Sequence, residues 1–245
     1  MANIITGGTA AAPATSLHTL ANIITTVRGK LDDTTGDEDS YGWPSTQLTG
    51  YVNEAVNELC RKLRLIEDDD TAAICTHALL ANGHTLTLSP RITGIERVEL
   101  NSTGAVLQVV EHVREMDAQF PGWKTATASV PQYLIKNGVG TGKARLYPAT
   151  LLADQINLTV HRLPLVDMVW ATDQAVEPEI PSTYHDLLYS GILYRAFGKA
   201  DVDTRDPVKE AENFAKWQRG IEELKSAERY RQASWKTVTP HAGNL

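Results

Sequence analysis

The fold is decided by one stretch, Trp43-Pro44-Ser45-Thr46-Gln47-Leu48, which leads into Tyr51-Val52-Asn53-Glu54-Ala55-Val56-Asn57-Glu58-Leu59. Ser45 is a helix-capping residue type, and apolar residues follow it at intervals of three and four. Cations stand where the pattern ends, at Arg61, Lys62 and Arg64, and they suit the negative end of a helix dipole. The stretch therefore predicts a helix from Ser45 to about Leu65. Its predicted core residues are Leu48, Val52, Val56 and Leu59.

Two further helices are predicted on either side of this one. The first runs from Ser16, its cap, to Lys30. The other begins after Pro178-Glu179-Ile180-Pro181-Ser182-Thr183-Tyr184-His185-Asp186 and runs from Ser182 to Ala200, because Pro181 blocks continuation backwards and Ser182 or Thr183 can cap. Its predicted core residues are Leu188 and Ile192.

The last helix starts at Asp206-Pro207, a capping residue followed by proline at the first helical position, and ends near Trp235. Gly220 weakens it by ~1 kcal/mol relative to alanine, so a bend or a close contact is expected there. Its apolar seam includes Leu224 and is expected to pack on the Ser45–Leu65 helix. The predicted core residues of this seam are Phe214, Trp217 and Ile221.

From Thr71 to about Met168 the apolar period changes from helical to strand-like. His84-Thr85-Leu86-Thr87-Leu88-Ser89 alternates strictly, and Asn101-Ser102-Thr103-Gly104 has the composition of a hairpin turn. Strands joined by short turns pair antiparallel, since a parallel pair needs a crossover of a dozen residues or more. The predicted strands are 84–89, 95–100, 105–110, 132–136, 143–147 and 155–162, with a short helix at 111–119.

These elements predict an α+β chain: a helical bundle of about four helices with a β-rich antiparallel insertion between the second and third long helices. The predicted organisation is a flexible N-terminal arm (1–15), the first part of the bundle (16–70), the insertion (71–170), the second part of the bundle (171–235) and a C-terminal tail (236–245).

Composition narrows the classes of protein. The 245 residues can bury a sizeable core, and 42% hydrophobic with 22% charged residues is ordinary for a soluble globular chain. A net charge of −7 argues against a wholly DNA-binding surface, although it is compatible with lining a channel for DNA. No apolar run reaches the roughly 18 residues of a membrane span. Cys60 and Cys75 have no His or Cys at ligand spacing, so two reduced structural thiols are expected.

A glycine-rich segment, Gly138-Val139-Gly140-Thr141-Gly142-Lys143, is similar to a phosphate-binding loop but lacks residues that such a loop requires. A Walker loop needs glycine five positions before Gly142 and Ser or Thr after the lysine, and those positions hold Asn137 and Ala144. The segment also leads into a strand, whereas phosphate binding uses a helix N-terminus. A glycine-rich hairpin turn is therefore predicted.

The sequence contains no strong motif for catalysis or for binding nucleic acid. The seven histidines form no nucleophile motif, and His185 and Asp186 point about 100° apart on their predicted helix. The five tryptophans lack the basic groove that single-stranded nucleic acid requires, so core or interface packing is expected of them. We predict that the chain is not an enzyme and has no catalytic residue, metal site or cofactor.

Two acidic runs are predicted to be solvated loops. Residues 32–40 hold five carboxylates, whose order does not match the alternating ligands of an EF-hand, so calcium binding is the lesser alternative. Glu67-Asp68-Asp69-Asp70 ends the Ser45–Leu65 helix in the same manner.

Three motifs resemble, in type and order, those of the head-to-tail adaptor (connector, or neck) proteins of tailed bacteriophages. They are the helix Tyr51–Leu59, the strand end Ala144-Arg145-Leu146-Tyr147-Pro148-Ala149 and the helix start Glu179–Asp186. The resemblance covers roughly residues 40–235. The long N-terminal arm and the acidic loop before Trp43 depart from the family's pattern.

The resemblance implies a structural virion protein that forms a ring, a dodecamer in the virion, beneath the portal protein in the neck, after assembly in the host cytoplasm. The ring would extend the channel through which genomic DNA passes during ejection without sequence-specific binding. It would also carry a tail, nozzle or tail-terminator protein, and no membrane is involved.

The resemblance further implies that a C-terminal segment reaches the portal. The tail 236–245 lacks an apolar period and follows a stretch with no acidic residue after Glu228, so it is expected to be disordered alone and to order on the portal. The predicted portal-binding residues are Arg229, Arg231, Lys236, Thr237, Val238, Thr239, Pro240, His241 and Leu245.

Two other functions remain as alternatives. One is a different virion structural component, such as a tail-completion or baseplate protein. The other, less favoured because its motifs are missing, is a small hydrolase or nucleotide-binding enzyme.

Overall fold

The computed structural model describes residues 18–34, 42–137, 139–199 and 205–235, with the backbone alone at 228 and 230–235. Within these ranges the chain forms seven helices and eight strands. The helices are α1 (Leu20–Leu31), α2 (Ser45–Leu63), α3 (Ala72–Cys75), α4 (Val113–Gln119), α5 (Trp170–Asp173), α6 (His185–Phe197) and α7 (Pro207–Trp235). The strands are β1 (Ile66–Asp68), β2 (Thr76–Leu79), β3 (Thr85–Thr87), β4 (Ile92–Leu100), β5 (Gln108–His112), β6 (Tyr133–Asn137), β7 (Lys143–Tyr147) and β8 (Asp154–Arg162).

The four longer helices share one hydrophobic core. Helix α6 lies between α2 and α7 in this core, and α1 packs on α2 and α6. Arg195 of α6 connects α2, α6 and α7. It forms ion pairs with Glu54 (3.0 Å) and Glu58 (2.7 Å) of α2, and its guanidinium lies over the Trp217 ring of α7. Most of the predicted core residues are buried here: Leu48, Val52, Val56, Leu59, Leu188, Ile192, Trp217 and Ile221.

Local signals set the ends of these helices. Asp206 caps α7, since its Oδ1 accepts the N–H groups of Val208 (3.1 Å) and Lys209 (3.0 Å) as predicted. The predicted cap of α1 is wrong, because the helix begins at Leu20 and the Thr19 hydroxyl accepts from the Asn22 N–H at 3.4 Å. Ser45 makes no cap either. Its hydroxyl is buried and accepts from Arg28 of α1 at 2.8 Å.

The prediction for the start of α6 also needs correction. Ser182–Tyr184 forms a short 3-10 helix, and α6 proper begins at His185 with no side-chain cap. Pro181 directly precedes the helical residues, and none of the residues before it continues the helix backwards, as predicted.

The strands form two sheets of four, packed face to face. In the first, β8 pairs antiparallel with β4 and also with β1 and β2, which divide its length between them. The second has the order β3-β7-β6-β5. Apolar residues of both sheets share a core that includes Val98, Leu146 and Leu158. The other face of the second sheet is covered by α4, whose Met116 is buried against Ile135 and Trp123.

The predicted four-helix bundle with one antiparallel insertion is therefore wrong. The described residues contain three further short helices, α3, α4 and α5, and two sheets in place of one insertion. Strands β5 and β6 pair in parallel, which the connection through α4 makes feasible because it is longer than the dozen residues that a crossover needs. The hairpin expected at residues 101–104 is present at the end of β4, where Leu100 accepts from Gly104 and donates to Ala105.

Two residue-level predictions fail for identifiable reasons. Phe214 is 47% exposed because it lies about 60° round the helix from Trp217, at the margin of the buried face. Asp68 is 7% exposed and lies in β1, where it is paired with a cation rather than solvated. The seam of α7 also packs mainly on α6 and only secondarily on α2.

Candidate assembly surfaces

The motif Glu179-Ile180-Pro181 joins the helices to the first sheet through Arg162. This arginine ends β8 and is buried, and its guanidinium pairs with Asp68 of β1 and with Glu179 at 2.6 Å. The second Glu179 oxygen accepts the Leu165 N–H at 2.9 Å. Glu179, which lies shortly before α6, thereby binds the end of β8 and ties together the two ends of the connection between β8 and α6.

Asp68 is well suited to this position. Its Oδ1 accepts the N–H groups of Asp70 (3.1 Å) and Thr71 (2.9 Å), and its Oδ2 accepts from Arg162. Burial alone would raise the pKa of the Asp68 carboxyl, but the Thr71 hydrogen bonds and the Arg162 cation outweigh burial and hold it well below its usual value. The Asp68–Arg162 ion pair is therefore charged at neutral pH.

His185 fixes the same motif to α6. Its Nε2 lies 3.0 Å from the Ile180 carbonyl, and its ring meets that of His18 edge-on with centroids 5.0 Å apart. Burial lowers the pKa of His185 below 6.5, so the ring is neutral at pH 7. His185 is thus a structural residue, and Asp186 beside it is exposed, which agrees with the absence of an acid–base pair.

The Trp43 motif is held in a similar way. Asp33, from the acidic run 32–40, accepts the N–H groups of Gly42 and Trp43 at 3.1 Å each and pairs with Arg28. The Trp43 indole donates to the Ala196 carbonyl of α6 at 3.0 Å. Asp33 therefore has a structural role that the sequence did not indicate, while residues 35–40 of the run lie outside the described part of the chain.

The third motif, at Arg145 to Ala149, builds an aromatic cluster on the second sheet. The Tyr147 ring lies 5.6 Å from Phe120 and 6.0 Å from both Trp123 and Tyr133, and Arg145 stacks over Trp123 at 4.9 Å. This cluster anchors the segment after α4 to β6 and β7. All three motifs thus make contacts that hold elements of the same chain together.

Among the described residues, two groups of exposed apolar side chains are candidates for contacts with other chains or segments. One lies at the end of the sheets and consists of Leu80, Val130, Leu151 and Leu152. The other borders an open cleft of about 540 Å³ between α2 and the segment that connects β8 to α6, and includes Leu165, Val166 and Val176. Exposed apolar groups of this kind are typical of surfaces that bind other protein segments.

Helix α7 supplies a third surface, because its C-terminal part continues past the start of α6. Gly220 lies against Leu187, two residues after the start of α6. The 15 residues from there to Trp235 span about 22 Å. Arg229 is exposed on this C-terminal part.

Comparison with known protein families gives a match over most of the chain. A sequence model of the SU10 adaptor protein family matches residues 18–240, which include every described helix and strand. The chain belongs to the SU10 adaptor protein family. It is therefore a structural adaptor of a bacteriophage and a virion protein. No curated protein sequence matches it.

The predicted portal-binding residues of the chain lie only partly within the described residues. Arg229 is exposed on α7, and Arg231 lies on the same helix with its side chain undescribed. Lys236, Thr237, Val238, Thr239, Pro240, His241 and Leu245 lie outside the described residues.

The described part of the adaptor shows no group of three His, Cys, Asp or Glu side chains placed to hold a metal ion. Gly140 and Gly142 stand in a turn between the antiparallel strands β6 and β7 with φ of 123° and 65°, which confirms the predicted hairpin. Cys60 and Cys75 are free and buried as predicted, and burial raises their thiol pKa values to about 12 and about 11. Among the described helices, none is both long and apolar enough to span a membrane.

Proposed function

We propose that this chain is the head-to-tail adaptor of a tailed bacteriophage. Its subunits form a ring beneath the portal protein, a dodecamer in the virion, which extends the DNA channel and carries a tail, nozzle or tail-terminator protein. The observation that carries the proposal is the family match, because it spans both the helical core and the two sheets. The family match does not support the alternative of a tail-completion or baseplate protein.

The C-terminal end of α7 supports a contact with the portal. After Glu228 the chain carries Arg229, Arg231 and Lys236 and no acidic residue. A basic segment favours an acidic partner surface and is weak as a single contact. Twelve copies in a ring would engage together, so the attachment gains strength through multivalency.

The net charge supports the role of a passive channel. At −7 per subunit, a ring repels DNA phosphates overall and offers no strong site that would hinder passage of the genome. The same charge makes free subunits repel each other. Rings are therefore expected to form on the portal template, where a larger contact area outweighs the repulsion.

The experiment is reconstitution with purified portal, observed by negative-stain electron microscopy, beside mass measurement of the free chain at low salt. We expect a monomer or weak oligomer alone and rings docked on portal in the mixture. Portal particles without added density would contradict the adaptor role. A stable ring without portal would contradict template-dependent assembly alone, and would leave the portal contact to be judged from the mixture.

A further inference from the structure

The cleft between α2 and the β8–α6 connection has walls that suit a peptide. Val56 forms its floor on α2, and Leu165, Val166 and Val176 stand along its sides with 41%, 75% and 49% of their surface exposed. Isolated exposed apolar residues are ordinary, but three along one concave surface present a continuous apolar lining.

One polar group in the cleft is left unsatisfied. Asn53 is fully engaged, since its side chain donates to the Met168 carbonyl and accepts from the Met168 N–H at 2.9 Å each. Asn57, one turn later, directs its amide nitrogen to Asp167. Its Oδ1 is buried and has no hydrogen-bond donor within the described residues. A buried acceptor of this kind is costly unless a donor meets it, and a backbone N–H is such a donor.

The N-terminal part of the chain enters at the lip of this cleft. The Leu20 N–H donates to the Val176 carbonyl at 2.8 Å, and the Ala21 N–H donates to the Gln174 carbonyl at 3.0 Å. Val176 itself lines the cleft. The 17 residues before His18 are consequently tethered beside the opening, and an extended segment of 12 residues reaches about 40 Å, so distance is no obstacle.

The composition of those 17 residues matches the cleft. They contain no Asp, Glu, Lys, Arg or His, and they carry Ile4 and Ile5 among small residues. The rim of the cleft is acidic at Asp173 and Glu177, so a neutral apolar segment enters without repulsion. The family match begins at residue 18, which places this segment outside the part that the family model covers.

We propose that residues 1–17 dock in the cleft of their own chain, with Ile4 and Ile5 against the apolar walls and a backbone N–H donating to Asn57. Tethering favours the chain's own segment over that of another subunit, because a short flexible link gives an effective concentration on the order of millimolar. Docking covers apolar surface in the free subunit and does not depend on ring formation or on the portal.

Disulfide trapping in the full-length protein tests the docking. Ile5→Cys is combined with Val166→Cys in the cleft, or with Leu152→Cys, which is 72% exposed at the end of the sheets and serves as the matched control. Cys60 and Cys75 do not compete, because both are buried and their thiol pKa values are raised to about 12 and about 11. Under oxidised glutathione at low protein concentration, we expect the cleft pair to form an intrachain disulfide about tenfold faster than the control pair.

A second pair, Val238→Cys with Val166→Cys, examines the C-terminal segment as the occupant. Equal rates for the cleft pair and its Leu152 control would overturn the proposal. So would a disulfide between chains, which assigns the cleft to a second copy, or preferential trapping of Val238, which assigns it to the C-terminal segment. Both cleft and control positions are exposed, so misfolding is not expected to obscure the comparison.

Discussion

Gly191 of α6 and Trp217 of α7 are matched across the helix interface: a Cβ added at Gly191 would lie 2.7 Å from Cζ3 of the indole. The relation is reciprocal, because a Cβ at Gly220 of α7 would overlap Cδ1 of Leu187 on α6. Each helix thus offers a glycine to a side chain of the other. This pairing explains why a residue that weakens a helix stands in the middle of both.

We expect Gly191→Ala to destabilise the subunit by about 1–3 kcal/mol, because the fully buried Trp217 ring cannot move aside and overpacking forces a shift. Gly50→Ala in α2 is the matched control, since an added Cβ there meets nothing within 4 Å. That control should stabilise the helix by up to about 1 kcal/mol. Urea unfolding of both variants measures the difference, and equal stability changes would contradict the close contact.

Trp217→Ala should cost about 3–5 kcal/mol of unfolding free energy, because the ring is completely buried among α2, α6 and α7. Phe214→Ala, three residues away and half exposed, loses mainly its edge contact with Tyr194 and should cost about 1 kcal/mol. Thermal unfolding compares the two. If Phe214→Ala proved the more damaging, the orientation of α7 would be wrong.

The helices were predictable because their signals are local. Asp206-Pro207 and the apolar spacing after Ser45 act within a few residues, so α7 and α2 begin where the sequence indicated. The same spacing rule could not determine how far the buried face of α7 extends. Phe214 meets Tyr194 of α6 at the margin of this face and remains 47% exposed.

The sheets and the ion pairs between elements were less predictable, because the residues that form them are far apart in sequence. Strand β1 has three residues and exists through pairing with β8, and Asp68 within it depends on Arg162, 94 positions away. A run of acidic residues gives no sign of such a partner. The N-terminal segment and the cleft illustrate the same point, since nothing in the sequence places Val176 beside Leu20.

Asp68→Asn should destabilise the subunit by about 3–5 kcal/mol, because among the described residues it leaves the buried Arg162 with Glu179 as its one carboxylate partner. Glu96→Gln removes an exposed pair with Arg64 and should cost less than about 1 kcal/mol. The Asp68 pKa is lowered in the folded state, so its stabilising effect is present above the unfolded value near 3.9 and is lost as pH falls below it. Unfolding measured from pH 5 to pH 3 should therefore show a shallower decline in Asp68→Asn than in the parent.

His185 predicts a second pH dependence, nearer neutrality. Its pKa is lowered by burial in the folded state, so the unfolded chain binds more protons below pH 6.5 and stability falls as the solution is acidified from there. His185→Gln, which can keep the hydrogen bond to Ile180, should flatten the urea midpoint between pH 7 and pH 5.5. His112→Gln, at an exposed position, serves as the control for the loss of a histidine. Parallel slopes in all three proteins would exclude His185 as the cause.

Removal of residues 236–245 should leave the fold intact and abolish attachment to the portal. The segment follows the end of α7, lacks an apolar period and holds Pro240 and Gly243, so the subunit core does not depend on it. The melting temperature of the truncated chain should equal that of the full chain, while docking on portal particles seen by negative stain should be lost.

Charge-reversal variants test the contribution of the basic residues before the tail separately from that of the tail itself. Arg229→Glu should weaken docking, and Arg205→Glu, which is also exposed and lies just before the opposite end of α7, should not. A truncated chain that still docks would restrict the portal contact to α7, and equal loss in both charge variants would make the effect one of net charge rather than of position.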